Sequence, residues 1–136
     1  MTVNYYDATN AVAGTECSST GEGRHLTFEE SVLSHPYHAD GLVDGKDPVC
    51  VGQIVGVAFS SASDDTDAIA IYTEGVWYLN VSGTGAAIAV GDPLFIDDTL
   101  GVIGTDNTDV PFGYALGTVT SATGDVIAVK VHGSVV

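Results

Sequence analysis

The sequence predicts an all-β fold: a small barrel or sandwich of short antiparallel strands, preceded by an extended N-terminal arm. From residue 45 onward, short runs rich in β-branched residues alternate with turns that contain Gly, Asp or Pro. No stretch has the apolar period of a long helix. The first 44 residues carry only scattered apolar side chains. We therefore divide the chain into an arm, residues 1–44, and a β-barrel-like domain, residues 45–136.

Charge limits the classes of partner. Eighteen acidic residues stand against three basic ones, which gives a formal net charge of −15. Such a surface repels nucleic-acid phosphates and anionic membranes, so we expect neither as a partner. The charge serves solubility, or it complements a basic surface on a partner. With no signal peptide and no long apolar run, we expect synthesis in the cytoplasm, with Cys17 and Cys50 as reduced thiols.

The arm is too polar to fold alone and too apolar for a solvated tail. We predict that it becomes ordered against a neighbouring molecule. Thr27 and Glu30 resemble a capping box, which predicts one helical turn over residues 28–33. The side chains that we expect to bind the partner are the larger apolar ones: Tyr5, Tyr6, Leu26, Phe28 and Tyr37.

The β domain opens with a strand or strand pair over residues 49–59. Pro48 has no N–H to donate, so we place it at the first position of a strand. Gly52 and Gly56 suit bends or bulges. The Asp-Pro start is echoed about 45 residues later at residues 90–96, which we also predict to lead into a strand.

The later strands are short and regularly spaced. The turn at residues 73–75 predicts a tight hairpin between its two flanking strands, and residues 122–125 predict another. Some seven to nine strands of this kind are typical of a sandwich or small barrel. Those after the first pair are predicted at residues 68–72, 76–81, 86–90, 94–96, 102–104, 112–119 and 126–131.

Few residue patterns suggest reactive chemistry. His35 and His38 have metal-ligand spacing, but Pro36 breaks the helix that would align them, so we interpret both as surface histidines and expect no metal. The acidic runs at residues 64–67 and 97–98 lack the frame of a calcium loop and are read as solvated loops. We find no catalytic grouping, and we expect no enzyme activity and no cofactor.

One hairpin is rich in aromatic residues and could form a carbohydrate platform. In the predicted strand, Trp77 and Leu79 share one face, while Tyr78 and Asn80 share the other. This alternation is typical of a half-buried strand. We therefore favour a core role for Trp77, and keep a carbohydrate-binding or adhesion module, displayed on a virion or cell surface, as the alternative function. A hydrolase of unrecognised family is a third class.

Four motifs in order resemble the capsid cement, or head decoration, family of tailed bacteriophages. They cover roughly residues 45–131. The motifs are DPVCVGQIVGVA at residues 47–58, TEGVW at 73–77, IAVGDPLF at 88–95 and FGYAL at 112–116.

The resemblance implies a small β-barrel or tulip-like domain. It also implies a homotrimer that binds the major capsid protein on the outer surface of the phage head, bridges neighbouring subunits and stabilises the shell. A virion location follows from the same resemblance, as does a role for the N-terminal segment in contacts with the capsid or the adjoining protomer. The chain carries a longer lead before its first motif than many relatives, so the resemblance leaves open which surface holds the capsid.

Overall fold

The computed structural model describes residues 9, 12–13, 25–83, 87–120 and 123–132. These residues form nine strands and one short 3-10 helix, arranged as a four-stranded sheet and a closed five-stranded barrel. The prediction of an all-β fold is confirmed. In these ranges no helix is long and apolar enough to cross a membrane.

The first sheet is antiparallel, with strand order β1-β4-β3-β2. A 3-10 helix follows β1, at the position of the helical turn that the sequence predicts. Strand β2 begins at Pro48, as expected, and turns back into β3 through Gly52, which has a φ of +58°. The elements of this half are β1 (His25–Glu29), the 3-10 helix (Glu30–Val32), β2 (Pro48–Val51), β3 (Ile54–Ala58) and β4 (Ala68–Tyr72).

Strand β1 lies within the stretch that the sequence analysis assigned to the arm. It pairs with β4 along its whole length, from His25 opposite Tyr72 to Glu29 opposite Ala68. Val43, from the same stretch, is fully buried. Residues 25–43 therefore contribute a strand, a turn and a core side chain to the first sheet. We carry the arm hypothesis forward for residues 1–24, most of which lie outside the described residues.

The barrel has strand order β5-β7-β6-β8-β9, and β9 closes it by pairing with β5. The β5–β7 pair is parallel, and the other pairs are antiparallel. The predicted hairpin between the last two strands is confirmed. The strands are β5 (Gly75–Val81), β6 (Pro93–Ile96), β7 (Ile103–Gly104), β8 (Val110–Ala115) and β9 (Asp125–Val131).

The predicted hairpin around residues 73–75 is wrong. Strands β4 and β5 both form, but they belong to different halves of the molecule. The two edges of β4 are taken by β1 and β3, and those of β5 by β7 and β9. The short connection, in which Gly75 has a φ of +112°, therefore carries the chain from the sheet to the barrel.

The first Asp-Pro turn is held by a compact set of hydrogen bonds. The N–H of Lys46 donates to the carbonyl of Ala58 at 2.8 Å, and the N–H of Ala58 donates to the carbonyl of Asp47 at 2.8 Å. The Asp47 carboxylate accepts the N–H of Asp44 at 2.9 Å. Lys46 has a φ of +76°, a backbone angle that residues with a Cβ rarely adopt.

The second Asp-Pro turn repeats this geometry. The N–H of Gly91 donates to the carbonyl of Ala115 at 2.8 Å, and the N–H of Ala115 donates to the carbonyl of Asp92 at 2.9 Å. The Asp92 carboxylate accepts the N–H of Ala89 at 2.9 Å, and Gly91 has a φ of +92°. The sequence echo is thus a repeated structural unit, used once in the sheet and once in the barrel.

The buried side chains form two clusters. The larger fills the barrel around Phe112 and also receives Cys50, Val55 and Val57 from the sheet, so the sheet and barrel share this core. The smaller lies within the first half, and its buried members are Leu33, Val43, Val49, Ala58, Ala62, Ile69 and Ile71.

Candidate docking face

The structure describes three of the five predicted partner-binding residues. Leu26 and Phe28 lie on β1 and are partly buried against the smaller core, so they serve the fold of the chain itself. Tyr37 is 87% exposed and is available to a partner. Tyr5 and Tyr6 lie outside the described residues.

A broader apolar surface lies on the outside of the barrel, and we call it the β5–β9 face. It follows from strand alternation, because Leu79 and Val81 point into the core while Tyr78 and Asn80 are exposed, as the sequence predicts. Tyr78 is 80% exposed. The face comprises Val76, Tyr78, Asn80, Tyr114, Val126, Ala128 and Lys130.

The strand register makes the β5–β9 face continuous. Lys130 lies opposite Val76 on one side and opposite Tyr114 on the other. Tyr78 lies opposite Ala128 in the next row of the same face. None of the seven side chains carries a carboxylate, although the chain has eighteen acidic residues. Apolar, weakly charged sheet surface of this kind is typical of protein contacts.

Aromatic rings mark the junction between sheet and barrel. Tyr72 lies at its centre, with the ring of His25 at 4.4 Å, that of Trp77 at 5.1 Å and that of Phe59 at 5.3 Å between centroids. Trp77 packs against the barrel core and donates from Nε1 to the carbonyl of Glu74 at 3.1 Å. These contacts support the core role that we predicted for Trp77.

A groove separates the two halves and has a volume of about 590 Å³. Pro36, His38 and Asp47 line it from the first half. Tyr78 and Val126, from the edge of the β5–β9 face, line it from the barrel. The groove therefore joins the apolar face to a polar cluster.

With the fold and this surface in place, comparison with protein families gives one match. The family described as "Phage cement protein" matches residues 28–131, which is most of the chain. The chain belongs to the phage cement protein family. Comparisons with curated proteins and with solved structures found no match.

The family match begins at Phe28, within β1, whereas the resemblance in the sequence begins near residue 45. The matched span thus includes the last two residues of β1 and the 3-10 helix that follows it. Membership implies a capsid cement role for this protein and association with the phage capsid, in agreement with the expected family.

The cement protein carries a cluster of histidines and carboxylates beside its groove. The Nε2 atom of His38 lies 2.7 Å from Asp47 Oδ2, and its Nδ1 lies 3.4 Å from Asp44 Oδ2. The Nε2 atom of His35 lies 3.1 Å from Glu30 Oε2. Both imidazoles are partly buried, and they stack with their ring centroids 6.1 Å apart. Neither histidine is a freely exposed surface residue, because His38 lies against Asp47 of the Asp-Pro turn and His35 lies against Glu30.

Contacts on both sides position this histidine segment. Ser34 forms an isolated bridge with Cys50 of β2, and its hydroxyl donates to the carbonyl of Asp98 in the barrel at 2.5 Å. Gly101 packs against the backbone of His35, where a Cβ would overlap main-chain atoms. The segment is thus clamped between the sheet and the β6–β7 loop.

Two pKa shifts follow from this environment. The hydrogen bond that His38 donates to the Asp47 carboxylate raises the pKa of His38, with smaller contributions from the charges of Asp47, Asp44 and Asp40. Burial raises the pKa of the Cys50 thiol. Cys50 is a free cysteine, as expected, while Cys17 lies outside the described residues.

The acidic loops use their carboxylates locally. Asp67 Oδ2 accepts the N–H of Ser63 at 2.8 Å and that of Asp64 at 3.2 Å. Asp97 Oδ1 accepts the N–H of Thr99 at 2.7 Å and that of Leu100 at 2.8 Å. The bonds of Asp97 are those of an Asx turn, and those of Asp67 close the loop that precedes it, so both acidic runs have a structural role.

Proposed function

We propose that this cement protein decorates the outer surface of a phage head as a homotrimer, bridges neighbouring subunits of the major capsid protein and stabilises the shell. The observation that supports the proposal is the family match over residues 28–131. Each copy needs only a modest interface, because contacts repeated by symmetry add up over the shell.

The β5–β9 face suits contact between copies of the chain. Three copies, each with a formal net charge of −15, repel one another. Approach is least unfavourable through a surface without carboxylates, where apolar side chains such as Tyr78 and Val126 can be buried. We therefore assign this face to the trimer contact.

The arm suits contact with the capsid. Residues 1–24 contain Tyr5 and Tyr6, and exposed Tyr37 lies on the body. Tyrosine is enriched in protein interfaces because its ring is apolar and its hydroxyl is polar. We propose that these three tyrosines contribute to binding the head, at the cost of ordering the arm.

Two experiments on the full-length protein test these assignments. Sedimentation equilibrium should give the mass of a trimer, and Tyr78→Glu should give monomers, because it places a carboxylate in the centre of the face. Co-sedimentation with expanded heads should show binding that Tyr5→Ser/Tyr6→Ser weakens while the trimer persists. A monomeric wild-type protein, or full head binding by the tyrosine variant, would contradict the corresponding assignment.

One observation favours the alternative of a carbohydrate-binding module, namely the exposed ring of Tyr78 on a sheet face. Exposed aromatic rings stack on sugar faces as well as on protein side chains. A glycan array would decide between the two: binding that is abolished by Tyr78→Ala in a protein that does not bind heads would support carbohydrate recognition.

A further inference from the structure

We propose that His35, His38 and Asp47 form a binding site for a divalent transition metal ion, and that Zn²⁺ fits it best. One ligand atom from each residue lies within 4.8 Å of the other two. In the sequence, Pro36 argues against the helix that would align the two histidines. The structure brings the histidines together without a helix and adds Asp47 from the first Asp-Pro turn.

The burial of the three side chains suits a bound ion. Those of His35, His38 and Asp47 are 12%, 28% and 13% exposed. They are shielded from bulk water, yet His38 and Asp47 line the groove, which gives an ion a path to the site. An entry path and preformed ligands are both needed for a credible metal site.

The hydrogen bonding of the rings points the same way. His35 presents Nδ1 to the carbonyl of Pro36 at 2.7 Å and Nε2 to a carboxylate oxygen of Glu30 at 3.1 Å. His38 presents both nitrogens to carboxylate oxygens, of Asp47 and Asp44. A neutral imidazole has one N–H and can donate to only one of its two acceptors, whereas an imidazolium, or an imidazole bound to a metal ion, satisfies both.

A bound metal ion takes the place of one ring proton in this arrangement. Each ring can bind the ion through one nitrogen and donate from the other to an oxygen, which is the usual arrangement around histidine ligands. For His38, Nε2 beside Asp47 would bind the ion while Nδ1–H faces Asp44. For His35, either Pro36 or Glu30 offers the oxygen for the remaining N–H.

The ligand types select the class of metal. Imidazole nitrogen favours zinc and similar transition metals, whereas Ca²⁺ and Mg²⁺ prefer sites made of oxygen atoms. Two histidines and one carboxylate leave a fourth tetrahedral position for water or for a group from a partner. The ion would tie the segment after the 3-10 helix to the turn that begins β2.

The repeated Asp-Pro turn supplies a matched control. Asp47 and Asp92 hold the same turn with the same bond to a backbone N–H, both at 2.9 Å. Asp47 faces His38, and Asp92 shows no contact with a histidine among the described residues. A change from Asp to Asn at either position weakens the turn in the same way, but removes an ion ligand only at residue 47.

The test is calorimetric titration of ZnCl₂ into tag-free, full-length protein that has been stripped with EDTA, with CaCl₂ as a parallel titrant. We expect one zinc per chain, no comparable calcium binding, and a rise in melting temperature. Asp47→Asn and His38→Ala should weaken zinc binding by at least about tenfold, since removing a ligand costs no less than removing an outer partner. Asp92→Asn and His132→Ala should bind as the wild type does.

Three results would overturn the proposal: no zinc binding, equal binding of calcium, or unchanged zinc affinity in both ligand variants. A second measurement covers variants that fail to fold. In the wild-type protein, zinc should shift the ring nitrogen NMR signals of His35 and His38 and leave those of His25 and His132 in place. Shifts of all four histidines, or of neither ligand, would contradict the site.

Discussion

Gly101 of the barrel packs directly against the main chain of His35 in the first half of the molecule. A Cβ at Gly101 would come within 2.6 Å of the Cα of His35, and Gly101 also has a φ of +65°. The same loop meets Ser34, whose hydroxyl bonds to Asp98. This close approach fixes the histidine segment and adds a contact between the first half and the barrel beside the shared core.

The first prediction concerns Gly101→Ala. The positive φ costs about 1–2 kcal/mol for a residue with a Cβ, and overlap with His35 adds about 1–3 kcal/mol. Gly52→Ala is the matched control, because Gly52 has a φ of +58° and open space around it. Urea unfolding should show that Gly101→Ala loses more unfolding free energy than Gly52→Ala. Equal losses would mean that the close approach to His35 does not affect stability.

The second prediction concerns Lys46, which has positive φ where the repeated turn has Gly91. Lys46→Gly should be more stable than Lys46→Ala by up to about 1 kcal/mol, because only glycine adopts this conformation without strain. Both changes remove the same charge, so the difference isolates the backbone. A more stable alanine variant in thermal unfolding would contradict the strained geometry.

The third prediction concerns the buried carboxylate of Glu30. Its Oε2 accepts the N–H of Val43 at 2.9 Å, and Val43 is fully buried. Glu30→Ala leaves that N–H without this acceptor, which should cost about 1–3 kcal/mol of unfolding free energy. Glu30→Gln keeps an oxygen acceptor and should lose less unfolding free energy than Glu30→Ala. Equal losses in chemical denaturation would show that the bond to Val43 does not matter.

The fourth prediction concerns two aspartates of the β7–β8 loop. Hydrogen bonds from the hydroxyl and N–H of Thr108 lower the pKa of Asp106, whereas burial and then the charge of Asp106 raise the pKa of Asp109. In a carboxyl NMR titration, Asp106 should therefore titrate below 3.8 and Asp109 above it.

Because the two pKa values shift in opposite directions, the two aspartates change the stability of the fold with pH in opposite ways. Asp106 stabilises the fold above its unfolded pKa, and this contribution is lost as the pH falls through its folded pKa. Asp109 favours its protonated form, so its contribution is present at low pH and is lost as the pH rises through its folded pKa. Thr108→Ala should raise the midpoint of Asp106 toward 3.8, and an unchanged midpoint would contradict the role of these bonds.

Local signals in the sequence predicted much of the fold. Pro48 predicted the start of β2 because a residue without N–H suits a first strand position. The turn before Asp125 predicted the β8–β9 hairpin, and alternation along β5 predicted that Tyr78 is exposed. Each of these features depends on neighbouring residues, so the sequence contains it directly.

Non-local pairing was harder to predict. The turn at residues 73–75 has hairpin chemistry, but the flanking strands find better partners far along the chain. Strand β1 was assigned to the arm because five residues with two large apolar side chains look unable to fold alone, and only the edge of β4 makes them a strand.

The spacing of His35 and His38 was visible in the sequence, but their meeting with Asp47 was missed for a similar reason. His38 and Asp47 are nine residues apart, with no regular spacing to suggest that they meet. The one available signal was the repeated Asp-Pro turn, since it predicts the position of the Asp47 carboxylate. Sequence reasoning found the turn, but not the segment that folds against it.

The central claim is that the chain works by adhering to a phage head. Cryo-microscopy of expanded heads, with and without the purified protein, tests it most directly. The account predicts added three-fold density on the outer surface, across junctions between capsid subunits, with the β5–β9 faces turned toward one another. Bare shells at saturating protein, or density confined to the inside of the head, would contradict it.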